Sequence, residues 1–569
     1  MKISGAKIVV ETLIEQGCDT IFGYPGGQVI DLFDELYIAR DRIKHILTAH
    51  EQGAAHAADG YARSTGKVGV VIATSGPGAT NLVTGIAAAY LDSVPMVAIT
   101  GNVSCDQIGR DSFQEVDIVG VTMPITKHNF IVKDINELAD TLRTAFKIAK
   151  SGRQGPVLVD IPKDVQTALC DYESNAQPVI PYPLTFASET KLQKAAELIN
   201  SAQRPYIYFG GGVISGKASQ QVTSLAEKID APMGCSLMGL SAVPCDHPRF
   251  LGMQGMHGHY ASTAAEYEAD LVIALGVRFS NRSTGENSRF TKNYRIIHID
   301  IDGAELNKNI PADLTIRGDL LDSVERLTAM VEENRHPDWA KHIAELKAQE
   351  EKLTKEAADS TRKRITEKGG SPMLSPYEII DIISARAGED VIIATDVGQH
   401  QMWTAQRYPL KKPRTFLSSG GLGAMGYGLG AAIGASTATG KRVVLFTGDG
   451  SFGMNLGELA TAVSQDIPVV IVVMNNGVLG MVRQQQTLFY DKHYSNTTLD
   501  RRTDFAKVAE AFGAKGGHAS TAEELKKLAE AAFASDVPFV IDCAVDCDEL
   551  VLPMLPQGGS AEDIITSVK

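Results

Sequence analysis

Short uninterrupted runs of valine, isoleucine and leucine recur along this chain, and helical spacings separate them. The runs fall at 68–74, 96–100, 156–161, 205–209, 271–275, 295–301, 391–395, 442–447, 469–474 and 538–543. A strand with one wet face alternates apolar and polar residues, whereas a continuous apolar run is covered on both faces. Such strands alternating with helices predict parallel sheets layered between helices, an α/β doubly wound architecture. A helix is expected at 135–149, where Leu138, Leu142, Ala145 and Ala149 share one face. Asp134 and Glu137 stand at its start as a capping-box-like pair. The amino terminus is expected to enter a helix directly, with Ala6, Val9, Val10 and Leu13 as its apolar stripe.

Two stretches break the alternation. Residues 171–188 contain the proline-rich "NAQPVIPYPLTF", and 336–372 are strongly charged and end in "EKGGSP". Both read as connections. A chain of 569 residues has room for about three or four domains. The divisions expected are 1–170, 189–335 and 373–545, followed by a tail at 546–569.

Net charge is −14 with no basic block, which excludes sequence-independent nucleic-acid binding. No apolar stretch approaches the ~18 residues that span a bilayer, and the start carries no secretory pattern. The seven cysteines form no CxxC pair, so no zinc site or disulfide framework is expected. The reading is a cytoplasmic, membrane-free protein.

The chemistry concentrates where strands end. In "GDGSFGMNLGELATAVSQDIPVVIVVMNN" (448–476), one apolar run stops at Gly448-Asp449-Gly450 and the next stops at Asn475-Asn476. Gly448 and Gly450 let the backbone turn tightly around Asp449. Aspartate and asparagine supply hard oxygen ligands, and Mg²⁺ takes six of these, some from diphosphate. A third strand ends at "DVGQHQMW" (396–403). Taken alone, GDG is also a common turn, and His400 reads equally as a surface residue.

The combined pattern resembles the signature of thiamine diphosphate enzymes. That resemblance implies a metal held by Asp449, Asn476 and the main-chain carbonyl of Val478. It places Gly398, Gln399, His400, Gly448, Gly450 and Ser451 at the diphosphate. In "TAHEQGAAHAADGYAR" (48–63) it makes Glu51 the acid that activates the aminopyrimidine. In "SSGGLGAMGYGLGAA" (418–432) it makes Met425 the wedge that bends the coenzyme.

Longer stretches narrow the resemblance to acetohydroxyacid (acetolactate) synthase catalytic subunits. They are "FGYPGGQVIDLFDEL" (22–36), "ATSGPGATNLVTGIAAAYLDSVPMVAITGNV" (73–103), "DSFQEVDIVGVTMPITKHNF" (111–130), "GPVLVDIPKDV" (155–165), "LGMQGMHG" (251–258) and "LPMLPQGGSAEDII" (552–565). The implied reaction decarboxylates pyruvate and joins the remaining two-carbon unit to pyruvate or 2-oxobutanoate. Gly27 would face an oxyanion through its amide, Gln114 the reacting carbonyls, and Phe113 the pocket wall. The central block would hold FAD through Arg153, Gly211, Gly212, His257, Arg278, Arg282, Asp300 and Asp319.

Two departures stand out. The family's RFDDR reads Arg278-Phe-Ser-Asn-Arg282 here, and its QWQ reads Gln484-Gln485-Gln486. Gln485 in place of an aromatic predicts weaker preference for 2-oxobutanoate. The resemblance further implies a homodimer or tetramer with cross-subunit active sites and a possible regulatory small subunit. A flavin-dependent pyruvate oxidase, a simple 2-oxo acid decarboxylase and a non-catalytic relative share the architecture and remain alternatives at this point.

Overall fold

The structure is a computed structural model that describes residues 2–175, 185–285, 294–367, 373–556, 558–559 and 561–566. Three six-stranded sheets carry the fold, and every strand pairing within them is parallel. The first runs, edge to edge, Lys44–Leu47, Thr20–Tyr24, Gly69–Ala73, Met96–Asn102, Pro156–Pro162, His128–Ile131. The second runs Phe250–Met253, Met233–Cys235, Pro205–Phe209, Leu271–Leu275, Arg295–Asp300, Leu314–Arg317. The third runs Phe416–Leu417, Ile392–Thr395, Val443–Gly448, Val470–Asn475, Phe539–Ala544, Lys515–Ala519. With strands counted within each sheet, the outer sheets share the order 2-1-3-4-6-5 and the central one is 3-2-1-4-5-6. The central order is the one that binds dinucleotides across its reversal point.

All ten expected strands are present, with ends shifted by a residue or two. Helices bury both faces of the sheets, so strands such as Val470–Asn475 are apolar up to their last residue. Other expectations need correction. A short strand, Lys2–Ser4, precedes the first helix and pairs antiparallel with Leu169–Asp171. The helix Gly5–Glu15 then starts at a Ser4 cap. The segment expected at 135–149 opens as a 3₁₀ turn, Ile135–Glu137, before the α-helix Leu138–Lys150. Asp134 caps the turn through Asn136 N, and no reciprocal capping box forms.

The charged stretch at 336–372 is mostly one long helix, Pro337–Glu367, docked on the central unit. Trp339 is buried and donates to Pro205 O at 3.1 Å. Glu350 accepts from Ala261 N at 3.0 Å and pairs with His259 at 2.6 Å. Residues 176–184 of the first connection, and 368–372 within "EKGGSP", lie outside the described residues.

The outer units meet through two helices of small residues, Glu51–Thr65 and Tyr427–Thr439. The approach is so close that a Cβ on Gly434 would lie 1.8 Å from Ala57 O. Beside this contact, Arg63 pairs with Asp59 (2.5 Å) and Asp92 (2.9 Å), and Tyr427 donates to Asp59 (2.6 Å). These buried charges are paired and hydrogen-bonded, which makes their desolvation tolerable. No described helix is long and apolar enough to cross a membrane.

Candidate active site

Ligands of open parallel sheets sit where strand order reverses, beyond the carboxyl ends of the strands. In the central sheet the reversal lies between Pro205–Phe209 and Leu271–Leu275. Their following loops meet so closely that a Cβ on Gly210 would lie 2.4 Å from Gly276 O. In the third sheet the reversal lies between Ile392–Thr395 and Val443–Gly448. One cavity of about 1330 Å³ joins these two reversal points. Its lining includes Gly211, Gly212, Arg278, Gly398, Asp449 and Asn476.

At the third-sheet end, Asp449 is the first residue of the helix Asp449–Asn455 and is buried. Burial pushes its carboxyl up to about 6, against the pull of backbone N–H groups of Asp449 itself, Gly450 and Asn476. The Asn476 amide nitrogen donates to Gln399 Oε1 at 3.3 Å, and its oxygen accepts from Val478 N at 3.1 Å. Asp449, Asn476 and Val478 all line this end of the cavity, and a carboxylate and an amide are oxygen donors of the kind a hard divalent cation takes. His400 is buried with no hydrogen-bond partner for Nε2 among the described residues, and burial lowers its pKa to about 3. Met425 lines the same end, and a Cβ on Gly450 would lie 3.9 Å from its Cε. Ser451 Oγ accepts from Gly426 N at 3.1 Å. Gly448 also lines the cavity, close against the His400 ring.

Asp396 organises this end, although the sequence reading gave it no role. It accepts from Gly428 N and Thr447 Oγ1, both at 2.7 Å. It holds the start of the Tyr427–Thr439 helix against two strand ends. Its position directly after a strand, like that of Asp449, was the available signal.

At the central end, Arg278 and Arg282 line the cavity, and neither has a carboxylate ion-pair partner among the described residues. Burial, then the nearby Arg153, lowers the Arg278 pKa. Arg153 does have one: Nη1 reaches Glu305 Oε1 at 2.6 Å. Ser280 and Asn281, at the departure from RFDDR, form a local cap instead: Ser280 starts the short helix Asn281–Thr284. His257 is buried, lines the cavity and leaves Nδ1 without a partner among the described residues; burial lowers its pKa to about 4. Asp300 lines the cavity, and burial raises its pKa to about 6. Asp319 does not line it: its side chain caps the helix Leu320–Met330 through Asp322 N. An aspartate one residue before a helix satisfies the helix first.

The QQQ run divides. Gln484 is buried and bonded to Val551 N (2.9 Å) and Val551 O (3.1 Å), and Gln486 accepts from Thr497 (2.8 Å). Gln485 lines the cavity.

Four expected residues, Glu51, Gly27, Phe113 and Gln114, do not line this cavity. They gather around the reversal point of the first sheet, between Thr20–Tyr24 and Gly69–Ala73. Glu51 Oε2 accepts from Asn81 Nδ2 at 2.9 Å, leaving Oε1 beside Gly78. Gly27 opens the turn Gly27–Val29, where its N–H has no partner inside the turn. Gln114 holds a left-handed backbone, φ 59°, against Gly76. Phe113 is 84% exposed. The packing of Glu51–Thr65 on Tyr427–Thr439 ties this segment to the third unit. Glu458 of the third unit holds the residues just before Glu51, accepting from His50 N (3.0 Å) and Ala49 N (3.2 Å). No local sequence signal reveals this bond, whose partners stand about four hundred residues apart.

Comparisons with known proteins agree across the chain. Residues 3–121 match the N-terminal TPP binding domain of thiamine pyrophosphate enzymes, 192–327 the central domain, and 396–543 the C-terminal TPP binding domain. The chain is 45% identical to a probable acetolactate synthase large subunit of Methanocaldococcus jannaschii, with 100% of this chain and 96% of that protein covered. It is 42% identical to the Escherichia coli acetolactate synthase isozyme 1 large subunit, covering 99% of this chain and 98% of the relative. It is also 42% identical to the E. coli isozyme 2 large subunit, covering 99% of each.

Proposed function

This chain belongs to the thiamine diphosphate-dependent acetolactate synthase large subunits, and from that premise we infer how its residues divide the work. The enzyme decarboxylates pyruvate and ligates the two-carbon remainder to a second 2-oxo acid, pyruvate or 2-oxobutanoate. The observation that carries this reading is end-to-end similarity to acetolactate synthase large subunits.

Bound thiamine diphosphate supplies a carbon nucleophile and an electron sink for the decarboxylation. Asp449, Asn476 and the Val478 carbonyl would hold a Mg²⁺, which would supply positive charge to the diphosphate. The unpartnered Nε2 of His400 supports a polar ligand at this end. Met425 supports the coenzyme's bend. Glu51 holds and moves the proton at the pyrimidine nitrogen through Oε1, since Asn81 occupies Oε2. The Gly27 N–H faces the developing oxyanion, already oriented by its turn. Gln114 and Phe113 border the substrate.

The central end of the cavity fits FAD. Arg278 and Arg282 offer cations to a diphosphate, Asp300 an acceptor to ribose hydroxyls, and His257 an unsatisfied ring nitrogen. Glycine turns allow close backbone approach there.

Because Met425 lines the cavity and Glu51, Gly27, Phe113 and Gln114 of the same chain do not, the working site takes those four from a second copy. The assembly is a homodimer, or a tetramer built from two such dimers. The exposed Phe113 belongs to the face that the partner's cavity covers. The relatives' designation as large subunits supports a separate regulatory small subunit. The seven cysteines, which form no CxxC pair, support a reducing, cytoplasmic location.

The test is incubation of purified protein with pyruvate, Mg²⁺ and thiamine diphosphate, with and without FAD, followed by identification of the carbon products. 2-Acetolactate is expected. Acetaldehyde alone, or an oxidised product with a reduced electron acceptor, would overturn the reading.

A further inference from the structure

A turn in the first unit touches both ends of the cavity. It follows the helix Val83–Leu91 and consists of Asp92 and Ser93, both of which line the cavity. The Asp92 side chain is fully enclosed. Its carboxylate accepts from Gly420 N at 3.0 Å and Gly421 N at 2.8 Å, with Arg63 at 2.9 Å as counter-ion. A Cβ on Gly421 would lie 2.8 Å from Asp92 Oδ1, so this contact admits only glycine. The turn at 420–423 that Asp92 pins leads directly into Met425.

Ser93 faces the other way. Its backbone is left-handed, φ 60°, an uncommon state for serine that persists only when neighbours hold it. Its hydroxyl accepts from Arg153 Nε at 2.8 Å. Arg153 Nη1 then reaches Glu305 of the central unit at 2.6 Å. Two adjacent residues therefore anchor the glycine turn before Met425 and the arginine at the central end.

We propose that the Asp92 and Ser93 turn is a positioning element that couples the two ends of the cavity, so that filling the flavin end through Arg153 orders the Met425 turn. The inference rests on the FAD reading above. A ligand that engages Arg153 fixes Ser93; Ser93 is covalently continuous with Asp92; Asp92 holds the backbone that shapes the thiamine end. Linkage makes the effect reciprocal: each cofactor tightens the other by the same factor.

The experiment uses the full-length chain. The dissociation constant of FAD is read by flavin fluorescence with and without Mg²⁺–thiamine diphosphate. That of thiamine diphosphate is read by calorimetry with and without FAD. In the unsubstituted protein each cofactor is expected to tighten the other by about fivefold or more. Ser93→Ala keeps the backbone but removes the acceptor. FAD binding should weaken roughly tenfold and the coupling factor should fall to near one. Thiamine diphosphate affinity without FAD should stay within about twofold. Ser93→Asn tolerates the left-handed backbone and restores an acceptor, so it should recover coupling. Thermal melting confirms that each variant is folded. Unsubstituted protein that binds no FAD overturns the flavin reading and this inference together. FAD binding without coupling, or coupling that survives in Ser93→Ala, overturns this inference alone.

Discussion

Replacing Glu458 with glutamine should separate the placement of Glu51 from its chemistry. The Glu458 side chain is buried, and its two oxygens face different donors. Oε1 accepts from His50 N at 3.0 Å, and Oε2 accepts from Ala49 N at 3.2 Å and Thr461 Oγ1 at 2.6 Å. A glutamine has one acceptor oxygen and one NH₂, so one backbone N–H must face another donor. Hydrogen bonds to a charged group contribute about 1.5–3 kcal/mol each, and an unsatisfied buried donor costs about 1–3 kcal/mol. Burial raises the Glu458 pKa, and this desolvation penalty disappears in the amide and offsets part of the loss. The net expectation is about 2 kcal/mol of lost stability, read by denaturant unfolding. Thr461 Oγ1 still accepts from Ala49 N at 3.0 Å, so the damage centres on His50, the residue before Glu51. A misplacement of about 1 Å at a reacting group can cost two orders of magnitude in rate. Turnover at saturating cofactor should fall about 10–100-fold, with the pyruvate KM changed less than about threefold. A folded variant that lost the stability but kept turnover within about twofold would refute the reasoning.

Two further outcomes are expected. Gln485→Trp should raise selection of 2-oxobutanoate over pyruvate by about tenfold in a competition assay, since an added apolar contact to one methylene contributes about 1–3 kcal/mol; an unchanged product ratio would remove Gln485 from the specificity account. Glu266 is buried against Tyr294, and burial raises its carboxyl from the ordinary 4.5 to about 8. The folded state thus keeps a proton that the unfolded chain releases, so the stability contribution is complete below about pH 4.5 and declines towards pH 8. The slope is on the order of 1.4 kcal/mol per pH unit. Glu266→Gln should therefore gain on the unsubstituted protein between pH 5 and pH 8 in thermal melts, and parallel pH dependences would contradict this.

The central strands were legible in the sequence because both of their faces are covered. Val70, Val71 and Ile72, or Val470 through Val473, bury every side chain and so read as continuous apolar runs. Edge strands were not. His128–Ile131 and Lys515–Ala519 meet a neighbour on one side only, and their mixed composition resembles a loop. Met233–Cys235 is interior but only three residues long, too short for any period. Thr20–Tyr24 is interior to the first sheet, but a Cβ on Gly23 would lie 2.3 Å from Ile72 O, so a required glycine breaks its apolar run.

The site was legible to the extent that its chemistry is local. Asp449, Asn476 and His400 follow strands, and strand ends at a reversal point converge. Asp319 also follows a strand, yet its carboxylate is consumed by the next helix. What sequence spacing does not carry is the long-range hydrogen bonding of Glu458 to His50 and of Asp92 to Gly421. It also does not tell Gln485, which faces the cavity, from Gln484, which is bonded into the tail.

The most direct test is subunit complementation. Glu51→Gln removes the acid proposed to move the proton and Asp449→Ala the proposed metal ligand, and each variant alone should be nearly inactive. Mixed in equal amounts and allowed to exchange, half of the twofold dimers carry one chain of each kind, and each hybrid contains one site with both residues intact. The mixture should therefore recover about a quarter of the unsubstituted activity. If both residues served one chain's own site, no intact site would form, and a mixture as inactive as its parents, with exchange verified, would contradict the account.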